Sequence, residues 1–130
     1  LDSFALLAYL EDEPGAARVA SLLGKAERNE IEIWISIINY GEVLYIVERE
    51  RGRDSAKMAI ATIDQLPLAV ADANRVLTFA AAHIKAHHAI SYADAFAVAL
   101  AQSKRGSVVT GDPEFNKVDA LVSLEWLPGA

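Results

Sequence analysis

Apolar residues along the chain recur mostly three and four apart, and short β-branched runs interrupt them, so helices alternating with brief strands are expected. Behind Asp2 and Ser3, either of which can cap a helix, Leu6, Leu7 and Leu10 predict a helix over residues 5–10. Pro14-Gly15 ends it and opens a second helix reaching about Arg28. Residues 31–35 (IEIWI) alternate at their start and are β-branched, which predicts a strand. Ser36 then stands as an N-cap, and the stripe of Ile37, Tyr40, Leu44 and Val47 predicts a long helix over 37–50, with Arg49 to Gly52 as its polar end. A helix over 54–66 is stopped by Pro67, and 68–70 forms a short apolar strand. Asp72 is expected to cap a helix reaching His87, and Ser91 to begin another through about Lys104. Residues 107–110 (SVVT) read as a strand, Thr110-Gly111-Asp112-Pro113 as a turn, and 122–127 as a last edge strand.

Short strands separated by helices predict one α/β domain over residues 1–130, with a mainly parallel central sheet and helices on both faces. Composition agrees: 53% hydrophobic residues in 130 suffice for a core. The absence of cysteine excludes disulfides, thiolate zinc sites and thiol nucleophiles, leaving carboxylate, imidazole and hydroxyl chemistry. A net charge of -6 argues against a broad basic face that coats a polyanion. No apolar stretch approaches the roughly 20 residues that cross a bilayer, and the start lacks a signal-peptide pattern, so the reducing cytoplasm is the expected compartment. The chain opens at Leu1 without methionine, and residues are expected in front of it.

In α/β sheets a site lies beyond the carboxyl ends of the strands, which directs attention to Asp2, Glu42, Asp94 and Asp112. Each has a plain structural explanation. Asp94 completes a capping-box pattern with Ser91, Asp2 caps a helix, Asp112 stabilises a turn before Pro113, and Glu42 lies on a solvated helix face. Together they suit a hard divalent cation, Mg²⁺ or Mn²⁺, which takes carboxylate and water oxygens and neutralises charge developing on a phosphodiester.

The segments LDSFALLAYLEDEPG, SIINYGEVLYIVER, SYADAFAVALA and VVTGDPEF, in this order, resemble the successive acidic motifs of PIN-domain ribonucleases, most nearly the small VapC-type toxins of toxin-antitoxin pairs. The resemblance implies a PIN-like three-layer α/β/α fold and a metal-dependent endoribonuclease, with Asp2, Glu42, Asp94 and Asp112 holding Mg²⁺ or Mn²⁺ for hydrolysis of RNA. Ser3 and Thr110 would support them by hydrogen bonds, whereas Glu114 also fits a solvated turn. The resemblance further implies a homodimer and a neutralising antitoxin. Its one departure is a first strand missing before Asp2.

Other features absorb less. His83 and His87, four apart on one helix, lack a third ligand in a recognisable pattern. Arg49 and Arg53, in the densest basic stretch, are candidates to meet the RNA backbone. Trp34 and Trp126 are expected in the core. Tyr9, Leu10, Leu44, Tyr45 and Val47 offer apolar surface for a second copy or a partner helix. Two alternatives stand beside the ribonuclease. An aspartyl-nucleophile phosphatase lacks its Asp-x-Asp signature here, Phe4 standing two residues after Asp2; a PIN-like interaction module would keep the acids without cutting.

Overall fold

Four of the α-helix starts are made by short polar side chains, which accept from backbone N–H groups that the first turn leaves unpaired. Asp2 caps α1 (Ser3–Leu10) and Ser36 caps α3 (Ile37–Arg51). Ser91 caps α6 (Tyr92–Lys104). Between them lie α2 (Ala16–Glu27), β1 (Trp34–Ser36), α4 (Arg53–Ile63), β2 (Ala69–Ala71) and α5 (Arg75–His87), and β3 (Ser107–Thr110) and β4 (Ser123–Trp126) follow. The computed structural model describes residues 1–128; Gly129 and Ala130, the end of the expected single domain, lie outside the described residues.

Several boundaries differ from expectation for identifiable reasons. The cap of α5 is Asn74, whose Oδ1 accepts from Leu77 N–H at 2.9 Å; Asp72 lies upstream of the helix. Helix α4 ends at Ile63, and Leu66 turns inward against the core instead of continuing the helix. Strand β1 begins only at Trp34, because its ladder partner β2 spans just Ala69–Ala71. Residues 113–118, expected as part of a turn and beyond, form a 3₁₀ helix that buries Phe115 and Val118. The inward face of α3 is Asn39, Tyr40, Val43 and Val47, so the stripe is rotated from the expected one and Ile37 stays 39% exposed.

The parallel pairing is present, but as two ladders. Strand β1 pairs with β2, with Trp34 opposite Ala69, and β3 pairs with β4, with Ser107 opposite Ser123. The backbone of residues 1–2 lies between them: the Leu1 backbone nitrogen donates to Trp34 O at 2.7 Å, and Asp2 N–H donates to Val109 O at 3.3 Å. Alternate residues then face opposite layers. Trp34, Ala71, Val108 and Leu124 pack with Phe96, Val98 and Phe115 on the α5/α6 side. On the other side Ile35 joins Val43, Val47 and Ile63, while Ile33, Val109 and Leu127 join Val19, Leu22 and Leu23. The expected three-layer α/β/α arrangement is therefore the observed one. Trp126, expected in the core, is 44% exposed on the edge strand, and Val47, expected at the surface, is buried.

Candidate active site

The carboxyl ends of β1 and β3 and the first turns of α1, α3 and α6 meet at one end of the sheet layer, and the polar residues gather there. Asp2, Ser3, Ser36, Asn39 and Thr110 are the buried polar residues among the described ones, and all five belong to this end. Burying polar groups costs free energy unless each finds a partner, so such a concentration points to a site. Asp2 is held from both sides. Its Oδ1 accepts from Ala5 N–H at 2.8 Å, and its Oδ2 accepts from the Thr110 hydroxyl at 2.5 Å. The same Thr110 oxygen accepts from Asp112 N–H at 3.0 Å, which ties Asp2 to the loop after β3. Asp112 Oδ1 accepts from Glu114 N–H, and Glu114 itself pairs with Lys117 at 2.6 Å on the surface.

Asp94 lies in the first turn of α6. Its N–H donates to Ser91 Oγ at 3.1 Å, the Ser91 half of the expected capping box. Burial raises the Asp94 carboxyl to about 6, opposed by the Ser91 hydroxyl and reinforced by the nearby charges of Asp112, Glu42 and Glu114. Burial likewise raises Asp2 to about 7, against the hydrogen bonds from Thr110 and Ala5 that favour its ionised form, with Asp94 adding to the rise. Asp94 thus lies within electrostatic reach of the other three acids. Among the described residues the ion pairs are Arg18–Glu125, Arg28–Glu30, Arg51–Glu11 and Lys117–Glu114, so no lysine or arginine neutralises them. Crowded, unneutralised carboxylates with neighbouring hydroxyls are the donor set of a hard divalent cation. The set is not preassembled, since among the described residues no three acidic or histidine side chains close into a metal-holding group.

The model of one family, the PIN domain, matches residues 1–121. The chain belongs to the PIN-domain family. Its fold is also similar to a chain of the crystal structure of VapBC2 from Rickettsia felis bound to a DNA fragment from their promoter, with a TM-score of 0.73. That likeness covers 96% of this chain and 94% of the other at 17% sequence identity. No curated protein sequence matches.

The remaining candidates of this PIN domain fall elsewhere. Arg49 is exposed near the end of α3 with its guanidinium 5.4 Å from the Tyr45 ring centroid, and Arg53 is exposed at the start of α4. His83 and His87 stack edge to face at 4.8 Å on the exposed side of α5, with no third ligand. A cavity of about 380 Å³ lies toward the amino ends of β1 and β3, lined by residues that include Trp34, Lys104 and Ser107, and none of the four acids lines it. Asn39 is the residue of this end that the sequence reading passed over. Its Nδ2 donates to Ser3 Oγ at 3.2 Å and to Ala93 O at 3.1 Å. The available signal was an amide on the helix face otherwise formed by Val43 and Val47.

Proposed function

We propose that this PIN domain is a Mg²⁺- or Mn²⁺-dependent endoribonuclease and the toxin of a toxin-antitoxin pair. The observation that carries the reading is the set of four acids, unneutralised by any described lysine or arginine, at the carboxyl ends of parallel strands. Asp2, Asp94 and Asp112 would hold the cation, with Glu42 completing the site. When bound, the cation supplies Lewis acidity that activates water and offsets charge developing at phosphorus. Thr110 keeps the Asp2 carboxylate oriented and fixes the Asp112 backbone beside it. Asp94, half-buried in the first turn of α6, would present its carboxylate to that cation together with Asp2. In-line attack on phosphorus breaks the P–O3′ bond and leaves 5′-phosphate and 3′-hydroxyl ends. Arg49 and Arg53 would meet backbone phosphates of the flanking strand.

The likeness to a chain of VapBC2 supports an antitoxin partner; a homodimer and a cytoplasmic location are proposed on the family resemblance alone. Among the described residues no helix is long and apolar enough to cross a membrane. A second reading is a PIN-like interaction module that keeps the acids without cutting.

Incubation of structured and single-stranded RNAs with Mn²⁺ or Mg²⁺ separates the two. Cleavage by the wild type that is abolished by chelator, and by Asp94→Asn or Asp112→Asn, supports the nuclease. Equal cleavage by all three proteins would mean contamination, and cleavage in excess chelator would remove the metal mechanism. Binding without cleavage would leave the interaction module.

A further inference from the structure

Asn39 has no solvent exposure, yet an apolar side chain there would simply extend the packed face formed by Val43 and Val47. Packing therefore does not account for an amide at this position. Its hydrogen bonds do. Oδ1 accepts from the Ser36 hydroxyl at 2.5 Å, and the Asn39 N–H donates back to Ser36 Oγ at 3.0 Å, which locks the amide's orientation at the end of β1. With the oxygen so engaged, the two Nδ2 hydrogens point elsewhere: one to Ser3 Oγ in α1, the other to Ala93 O in α6. The Ser3 hydroxyl returns a bond to the Asn39 carbonyl at 3.3 Å. Ser3 directly follows Asp2, Ala93 directly precedes Asp94, and Glu42 is three residues beyond Asn39 on the same helix. One buried amide thus touches the immediate neighbours of two acids and shares a helix with the third.

We infer that Asn39 is a positioning residue that holds α1, α3 and α6 in register, so that Asp2, Glu42 and Asp94 can face a common divalent cation. The inference rests on the metal-site reading above, and its test carries a metal-free arm that does not. Asn39→Leu removes both Nδ2 donations while fitting the packed face. Asn39→Ser keeps a small polar group that is too short to reach Ala93 O, and it serves if the leucine variant fails to fold. In metal-free protein, amide hydrogen exchange in the first turns of α1 and α6 is expected to quicken by about tenfold as the tie is lost. Mn²⁺ affinity, read by electron paramagnetic resonance, is expected to fall by about 10- to 100-fold. The kcat should fall with it, while KM for RNA stays within about twofold.

A purely structural asparagine would lower the melting temperature and leave Mn²⁺ affinity and kcat of the folded variant unchanged, and that result overturns the inference. Unchanged exchange at both helix starts overturns it as well. Should the wild type bind no Mn²⁺, the metal reading fails by itself, and the exchange arm still decides whether Asn39 ties the three helices.

Discussion

The Thr110 hydroxyl does two jobs with one oxygen, donating to Asp2 Oδ2 and accepting from Asp112 N–H. Valine has the same shape and neither capability. Thr110→Val is therefore expected to cost about 1–3 kcal/mol, the usual result of stranding buried polar groups, and to lower RNA cleavage more than ten-fold on the order of a lost supporting partner. A variant melting and cleaving like the wild type would show that the tie is idle. Next to it, Gly111 is required by space: a Cβ there would lie 2.3 Å from Phe4 Cε1 and 2.7 Å from its Cζ. Gly111→Ala must push the Phe4 ring or the Asp112 loop aside, with an expected loss of about 1–3 kcal/mol. If the clash with the ring is the cause, Phe4→Leu in the same chain should recover most of the loss, a coupling that a double-mutant cycle measures. Local features of this kind draw attention to three of the four acids in the sequence. Each sits beside a cap or turn signal a few residues away: Ser91 before Asp94, Gly111 and Pro113 around Asp112, and Ser3 after Asp2. Asn39 was not legible in the same way, because its partners Ser3 and Ala93 are 36 and 54 residues distant along the chain.

Among the elements, α6 is the spine. Residues Ala95 through Leu100 are all buried, and the helix packs on α5, α3, β1 and β3 while presenting Asp94 at its first turn. Its far end stops at Arg105 in a left-handed conformation, φ 53°, which a side chain adopts at a cost and glycine does not. Arg105→Gly is expected to stabilise the protein by about 0.5–1 kcal/mol net of the glycine's added unfolded-state freedom, visible as a melting temperature raised by a few degrees with cleavage unaltered. The strands show the limit of pattern reading. With only three residues in β1 and β2, periodicity has nothing to repeat, and pairing is decided by distant partners; hence the early start expected for β1 and the division into two ladders. Where α3 hands over to α4, Arg49 and Arg53 are exposed and bonded to no acid among the described residues. If each neutralises one phosphate of a single strand, changing both to alanine should flatten the log–log salt dependence of RNA binding by about 1.4 units. An unchanged slope in anisotropy titrations would take this corner out of the RNA path.

At the scale of the whole molecule, 18 acidic residues face 12 basic ones, and the acids gathered at the candidate site couple folding to both protons and metal. In the metal-free protein Asp2 titrates near 7 and Asp94 near 6, both above their ordinary 3.8 because burial disfavours the ionised forms. Between roughly pH 4 and pH 7 the folded chain therefore holds protons that the unfolded chain has already released. The stabilisation from these protons is complete below the ordinary carboxylate range and is lost as pH rises through 6 to 7. A divalent cation reverses this balance, because it needs the ionised carboxylates and displaces the same protons. Thermal melting in chelator should show stability falling from pH 5 to pH 7.5, and Mn²⁺ at about a hundred times its dissociation constant should add about 2.7 kcal/mol. At a fixed Mn²⁺ concentration the rise should be larger at pH 7.5 than at pH 5.5, where protons compete. Asp2→Asn with Asp94→Asn should flatten the pH slope and abolish the Mn²⁺ response together. If the slope vanished while the Mn²⁺ response survived, the cation would bind elsewhere, and the acids at the strand ends would have to be read as structural.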